Sequence, residues 1–445
     1  MSKRGKTTFI DLFSGIGGFR IALEKNGCKC IGFSDIYASA VNVYKDNFDT
    51  SQELEIGDIT KNHDLPYADI ITGGVPCQSW SIAGKKRGFE DPRGRLWLDT
   101  IEVVKKVKPK AFIFENVKGL ADPRNKANLM LIVSELEGAG YRVRYKVLNA
   151  FDYGLPQSRE RIFIVGIRND INSTSFEYPM PHEELPVLAD ILTDSRGKVK
   201  KKTNHHNSKN SFNMAAIENK GNFFIFSDVR NGEYTVHSWD LIETTPLEKK
   251  ICMLIMKNRR KPKYGNKDGN PMSLADIQEL LEPKFDNPSL FSDYNDTCET
   301  TITQADIDGL VKKGLLKPKD DKYDLANSRI SSGLNGIYRI FLPESHVFST
   351  LTKSGTRDFV STESIPGDVE NKKAYFLENI YWKKKYRPIT VREAARIQGF
   401  PDSYNFEVST SVAMGLLGNS IAINIVSEIV KEVLSVLEKT NEKMA

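Results

Sequence analysis

The chain has 445 residues, with 63 Lys and Arg against 58 Asp and Glu, a formal net charge of +5. That length supports two or three domains with cores of their own, and the mild positive charge permits a polyanionic partner without demanding one. The five cysteines are odd in number and include no C-x-x-C pair, so neither a disulfide framework nor a zinc ribbon is suggested, and their sparsity fits a reducing compartment, with no bound metal expected.

In chain order, "TTFIDLF" reads as a strand and "GGFRIALEKNG" as a short helix that Gly27 is placed to end. "CIGFSD" is a second strand and "ASAVNVYKDNF" a helix. "ADIITGG" is another strand, "LWLDTIEVVKKVKP" a helix stopped at Pro109, and "AFIFENV" a strand. "RVRYKVLNA" and "RIFIVGIR" continue the series. Such alternation predicts an α/β fold, a mostly parallel sheet with helices on both faces. Near Pro179 the periodicity weakens and Asn, Ser and Lys become common. Short aromatic strands such as "FFIFSDV" and "GIYRIFLP" predict a smaller, irregular second domain. "GKVKKKTNHHNSKNS" is a basic run, either solvated or in contact with phosphates. Helix returns at "TVREAARIQGF", with Thr390 and Glu393 as a capping box and Gly399 at the far end, and "SIAINIVSEIVKEVLSVLEK" is an amphipathic helix. The N-terminus lacks a signal-peptide apolar region and no apolar stretch reaches bilayer length, so a cytoplasmic protein with no membrane partner is expected.

Two strand ends carry chemistry. "FIDLFSGIGGF" runs a strand through a glycine turn into a helix, the way α/β proteins admit an adenosine-containing cofactor. The dinucleotide fingerprint wants a third glycine where Arg20 stands, which counts against a nicotinamide or flavin enzyme. Asp35, at the end of the next strand, is placed to hold ribose hydroxyls or to cap the following helix. In "ITGGVPCQSW" a cysteine follows a proline at the end of a buried strand. The commonest fate of a free cysteine is burial as a small apolar residue. Ligands, however, bind outside the carboxyl ends of such strands, and "QSWSIAGKKRGFEDPRGR" is polar, glycine-containing and basic.

"DLFSGIGGFRIAL", "GGVPCQSWSIAGKKRGFEDPRG", "FENVKGL", "LNAFDYGLPQSRERIFIVG", "RPITVREAARIQGFPDSY" and "GLLGNSIAINIV" together resemble, in order, the motifs of the DNA cytosine-5 methyltransferase family of bacterial restriction-modification type. The resemblance implies a Rossmann-like, S-adenosylmethionine-dependent methyltransferase fold. It implies a catalytic and cofactor-binding domain over 1–181, a target-recognition domain over 182–404 that includes the 387–404 motif, and a segment over 405–445 returning to the catalytic domain.

The implied reaction is methyl transfer to carbon 5 of cytosine in double-stranded DNA, on a base extruded from the duplex. Carbon 5 is too weak a nucleophile until a thiolate adds to carbon 6 and turns the ring into an enamine. Cys77 matches the nucleophile. Glu115 matches the acid that quenches charge at ring nitrogen 3, Arg161 the arginine at the target base, and Arg159 its structural or phosphate-proximal companion. Gln78 matches the DNA-facing loop, and Asn116 the residue that positions the nucleophile loop. On the cofactor side, Phe13 and Ile36 would flank adenine, Gly15 and Gly17 allow close approach, Asp35 takes the ribose, Asp58 the adenine amino group, and Asn419 lies near the methionine end. Lys85, Lys86 and Arg87 are candidates for phosphate contact. A monomer is expected, and a companion restriction endonuclease acting on the same site. The alternatives are an RNA cytosine-5 methyltransferase of the same family, whose recognition region is short where this one is long, and a nicotinamide-dependent oxidoreductase, which cofactor absorbance would reveal.

Overall fold

The computed structural model describes residues 6–61, 63–76, 92–171, 176–193, 221–228, 230, 232–267, 269–281, 301–326, 333–354 and 356–444. The loop 79–91 and the basic run 197–211 lie outside the described residues. The chain divides into two compact units. One comprises Met1–Lys220, Glu344–Thr356 and Ile389–Ala445, the other Gly221–Pro343 and Arg357–Pro388.

The first unit is built on seven strands, β1 (Thr8–Leu12), β2 (Lys29–Phe33), β3 (Leu54–Glu55), β4 (Ile70–Gly74), β5 (Ala111–Val117), β6 (Tyr141–Asn149) and β7 (Glu160–Arg168). They lie in the order β3-β2-β1-β4-β5-β7-β6. Pairing is parallel from β3 through β5, and β7 runs antiparallel to both of its neighbours. The chain winds outward in both directions from β1 and β4, so the switch point of the topology lies between these two strands, where open α/β sheets bind ligands.

Four helices, α1 (Gly18–Lys25), α2 (Ala38–Asn47), α3 (Pro92–Val107) and α4 (Lys126–Gly138), join the strands. Ile10, Leu12, Ile71, Phe112 and Phe114 pack on Trp97, Ile101 and Val104 of α3 and on Leu129, Ile132 and Val133 of α4. The alternate residues Phe9, Ile70, Ala111 and Ile113 are buried as completely, so both faces of the sheet are covered. This is why these strands read as nearly unbroken apolar runs.

The helix Val391–Gln398 starts at the expected capping box. Thr390 Oγ1 accepts from the Glu393 amide at 3.2 Å, Glu393 Oε2 accepts from the Thr390 amide at 2.8 Å, and Gly399 ends the helix at φ 87°. The same Glu393 accepts from the amide and hydroxyl of Thr193 through Oε1. Buried Gln157 donates to the Ile397 carbonyl at 3.2 Å and accepts from the Leu351 amide at 3.2 Å. These bonds bring 344–356 and 389–404, which the sequence places with the middle of the chain, into the unit that holds the seven-stranded sheet.

The second unit contains β8 (Asn222–Ile225), β9 (Thr235–Val236), β10 (Leu316–Lys319), β11 (Lys322–Leu325), β12 (Arg339–Phe341), β13 (Asp358–Ser361) and β14 (Tyr386–Pro388). Five of these form a sheet in the order β14-β13-β12-β8-β9, and β10 pairs with β11 as a hairpin. Helices Pro246–Asn258, Leu274–Glu279 and Gln304–Lys312 share a core with that hairpin. Each begins at a capping box, Thr245/Glu248, Ser273/Asp276 and Thr303/Asp306, so this unit holds more regular structure than its weak periodicity predicts. Among the described residues no helix is long and apolar enough to cross a membrane.

Candidate active site

The candidate residues of the first unit gather at the carboxyl edge of its sheet. Phe13 to Gly17 follow β1, Asp35 and Ile36 follow β2, Asp58 follows β3, Val75 and Pro76 follow β4, and Glu115 and Asn116 close β5. Cys77 and Gln78, which continue from Pro76, lie outside the described residues.

Between β1 and α1 the chain makes a tight turn, with Phe13 at φ 53°, Gly15 at 54° and Gly17 at 77°. The two glycines serve different needs. Nothing lies within 4 Å of a Cβ placed on Gly15, so this position faces open space and needs glycine for its backbone conformation. A Cβ on Gly17 would stand 2.4 Å from the Phe48 ring, so here the absent side chain lets α1 pack. Asp35 closes the turn, because its two oxygens accept from the Gly15 amide and the Tyr37 amide, each at 2.8 Å. The cap of α2 itself is Tyr37, without a side-chain bond. A carboxylate holding one amide on each oxygen still has lone pairs for two hydroxyl donors. Ile36 beside it is 69% exposed. Asp58 accepts from the amide and hydroxyl of Thr60, bonds that hold its carboxyl below the usual carboxylate range.

Arg20, which stands where a dinucleotide site would have its third glycine, is buried. It grips Glu53 with both terminal nitrogens, at 2.7 and 2.8 Å, and Glu24 through Nε at 2.8 Å, with Phe48 stacked on its guanidinium. A glycine there would leave this group of acids and rings without its centre.

Two buried polar atoms under the same turn, Asp11 Oδ2 and Ser14 Oγ, have no hydrogen-bond partner among the described residues. Asp11 accepts from Thr72 Oγ1 at 3.0 Å, yet burial pushes its carboxyl up to about 7. Patterning alone did not mark Asp11, although an acid within an apolar strand is unusual. Its position immediately before the glycine turn is a further signal that could have found it.

Glu115 and Asn116 sit at the other side of the switch point. Glu115 is opposite Gly74 on β4 and Phe163 on β7, which places it on the same face as Arg161, two residues along β7. Arg161 Nε meets Glu115 Oε1 at 3.0 Å. Burial raises the Glu115 carboxyl above its ordinary value, and the charges of Arg161 and Arg159 hold part of that rise in check. The result is a carboxyl able to carry or share a proton nearer neutral pH than an exposed glutamate. Asn116 turns the other way and donates to the Val75 carbonyl at 3.0 Å, two residues before Cys77.

Arg159 is buried and donates to the carbonyls of Leu351, Gly418 and Ser420. Asn419, at the end of the helix Thr410–Asn419, is exposed between two of these pinned carbonyls. Arg159 therefore fixes the backbone on either side of Asn419. The sequence paired Arg159 with Arg161, but their bonds differ, since Arg161 pairs with the Glu115 carboxylate and donates to the carbonyl of its neighbour Glu160, while Arg159 donates to three distant backbone carbonyls. Among the described residues no group of three or more His, Cys, Asp or Glu could hold a metal ion.

Comparison with known proteins adds an independent finding. A family model for the C-5 cytosine-specific DNA methylase matches residues 7–435. The chain is 42% identical over 426 residues to the Type II methyltransferase M.HgiCII of Herpetosiphon aurantiacus, covering 93% of each protein. It is 32% identical over 458 residues to the Type II methyltransferase M.NlaIV of Neisseria lactamica, covering 96% of this chain and 99% of that one. Among solved structures, the Entamoeba histolytica methyltransferase EhMeth shares the fold, with a TM-score of 0.52 at 15% identity over 98% of this chain and 99% of that one.

Proposed function

The chain belongs to the C-5 cytosine-specific DNA methylase family and is a DNA cytosine-5 methyltransferase of restriction-modification type, and from that premise we propose that it works by covalent catalysis from Cys77 with S-adenosylmethionine as methyl donor, on a cytosine extruded from duplex DNA. The observation that carries this proposal is the ion pair of buried Glu115 with half-buried Arg161, beside the strand that leads to Cys77.

The fit of the cofactor rests on the turn after β1. Two buried polar atoms there lack partners among the described residues, the Gly15 position is open, and the Asp35 carboxylate has acceptor capacity in reserve. Phe13, Gly15, Asp35, Ile36, Asp58 and Asn419 would hold S-adenosylmethionine, with Gly17 shaping the turn. When bound, it supplies a sulfonium methyl group to the activated carbon 5.

In this proposal the Cys77 thiolate adds to carbon 6, and the electron pair displaced toward ring nitrogen 3 is met there by the Glu115 carboxyl. Arg161 orients that carboxyl and keeps it from becoming a permanently neutral acid. Asn116 holds the Val75 carbonyl and so the start of the nucleophile loop. Loss of the carbon-5 proton to a base restores the carbon 5–carbon 6 double bond and expels the thiolate. Arg159 acts at a distance by fixing the backbone beside Asn419. Gln78 would face the DNA. A companion endonuclease of the same site specificity and a monomeric enzyme belong to the same proposal.

Duplex DNA carrying 5-fluorocytosine at the target tests the covalent step, since fluorine blocks the elimination. The wild-type protein should form a denaturation-resistant complex with it in the presence of S-adenosylmethionine, and Cys77→Ser should form none and lose transfer by more than about a thousand-fold, the scale of removing a nucleophile. Turnover by the serine variant within ten-fold of wild type would remove Cys77 from the mechanism.

A further inference from the structure

One face of the five-stranded sheet in the second unit carries an arrangement that the chemistry above does not use. Phe223, Ile225 and Ile340 point into that unit's core. Strand alternation therefore places Phe224 and Arg339 on the opposite face, where they are cross-strand partners, and Phe226 continues the same row. The rings of Phe224 and Phe226 lie nearly parallel with centroids 6.1 Å apart, and Tyr338 meets Phe226 edge-on at 4.6 Å.

Two guanidinium groups rest on this shelf. Arg339 lies 4.7 Å from the Phe224 centroid and 5.2 Å from that of Tyr338. Arg230, which is exposed, lies 4.9 Å from Phe226, 5.4 Å from Phe224 and 6.0 Å from Tyr338, and its Nη2 donates to the Tyr338 hydroxyl at 3.3 Å. Neither arginine forms an ion pair among the described residues, and Arg339 Nε is buried without a hydrogen-bond partner. Arg259 of the same unit shows the ordinary solution, a 3.1 Å pair with Asp324. Among the described residues no carboxylate stands within ion-pair distance of either guanidinium, and the nearest acid in register, Asp358, lies opposite Arg339 on β13.

Stacking on rings fixes the plane of a guanidinium and leaves its N–H edge open. That geometry suits a flat acceptor pair, such as O6 and N7 of guanine in the major groove. A phosphate contact needs charge alone, for which a lysine on a flexible stem serves and an aromatic shelf adds nothing. We propose that Arg230 and Arg339 are specificity-determining residues, each reading the major-groove edge of a guanine in the target sequence. The inference rests on the assignment of the chain as a DNA methyltransferase.

The test uses the full-length wild-type protein and the variants Arg230→Lys and Arg339→Lys, which keep charge and remove the planar fork. Each methylates a pool of DNA duplexes with randomised positions, read by bisulfite sequencing, and DNA affinity is titrated against salt. Each lysine variant should lose the preference for guanine at one position by about 5- to 150-fold, the range for a bidentate base contact, with the salt dependence unchanged. Unchanged sequence preference in the lysine variants, with a flatter salt dependence in Arg230→Ala and Arg339→Ala, would make both residues phosphate contacts and overturn the proposal. Should Arg339→Lys fail to fold, the exposed Arg230→Lys decides the matter alone. Wild-type protein that methylates no cytosine in the pool would remove the DNA methyltransferase assignment and the inference with it, whereas active wild type with indifferent variants removes only the inference.

Discussion

Arg230 and Arg339 of the second unit are held in the opposite way to Arg20, Arg159 and Arg161 of the first, whereas Arg259 of that second unit is paired with Asp324. In the unit with the seven-stranded sheet, Arg20 is clasped by Glu53 and Glu24, Arg159 by three backbone carbonyls, and Arg161 by Glu115. In the other unit Arg230 and Arg339 lie on aromatic rings with no ion pair among the described residues. Burial accounts for the first pattern, because a charge taken out of water without partners costs several kcal/mol. It also gives the first unit what catalysis needs, acids and carbonyls held in one geometry before substrate arrives. Recognition has the contrary requirement. A donor that reads a base edge must be oriented and still unspent, which a ring provides and a carboxylate does not.

The contrast can be broken most sharply at Glu115. Glu115→Gln keeps the shape and an acceptor for Arg161 but removes the proton that the carboxyl would share. Single-turnover methyl transfer should fall by about 10²- to 10⁴-fold, the usual worth of a general acid. The pH dependence follows from the sign of the shift. Burial raises the Glu115 carboxyl, so its protonated form persists to higher pH than that of a free glutamate and is lost as pH rises through the raised value. The wild-type rate should therefore decline on that alkaline limb, and the glutamine variant should lack it. A glutamine variant within ten-fold of wild type and with the same limb would mean that Glu115 holds the base without handling a proton.

Next in size is a difference in stability. Arg159→Ala strands three buried carbonyls and opens a cavity, and should cost about 3 kcal/mol. Arg230→Ala removes an exposed cation from rings that stay packed, and should cost less than about 1 kcal/mol. Calorimetric melting of both variants measures the pair. Equal losses would show that the aromatic shelf supports its unit's fold as much as Arg159 supports the other, and the distinction between spent and unspent arginines would fail.

Sequence legibility divides along the same line. Strands β1, β4 and β5 were readable because burial on both faces makes them apolar runs, and the glycine turn and capping box at Thr390 are local signals. Asn116 was singled out by its motif, and its bond to the Val75 carbonyl would serve the role proposed for it. The partners of Arg159 were not readable, since the carbonyls of Leu351, Gly418 and Ser420 lie far along the chain and carbonyls leave no mark on residue type. Arg20 registered only as a missing glycine, although Glu24 four residues on is a pairing signal. The helices at Thr245, Ser273 and Thr303 announce themselves by a hydroxyl followed three residues later by an acid, a pattern hidden here by the short, weakly periodic segments that follow. The shelf of Phe224, Phe226 and Tyr338 was beyond reach, because its arginines are brought together by the pairing of β8 with β12.

The smallest effect separates spent from unspent charge among lysines. Lys383, Lys384 and Lys385 are adjacent and identical in sequence, and the structure distinguishes them. Lys385 Nζ is paired with Glu363 at 2.5 Å, and Lys383 Nζ donates to the neutral Asn379 Oδ1 at 2.8 Å. Lys384 is exposed, at φ 52°. A lysine must leave its carboxylate before it can neutralise a phosphate, so Lys385 should release fewer counterions on DNA binding than its neighbours. If Lys384 meets a phosphate, Lys384→Ala should flatten the slope of log affinity against log salt by about 0.9, and Lys385→Ala by less than half of that. The methylated sequence should stay the same in both, because a phosphate contact carries no base information. Salt titrations on one duplex, with bisulfite sequencing of the product, read the two quantities together. Equal flattening by Lys384→Ala and Lys385→Ala would show that the Glu363 pair gives way to DNA, and that a surface carboxylate does not spend a lysine as a buried one spends an arginine.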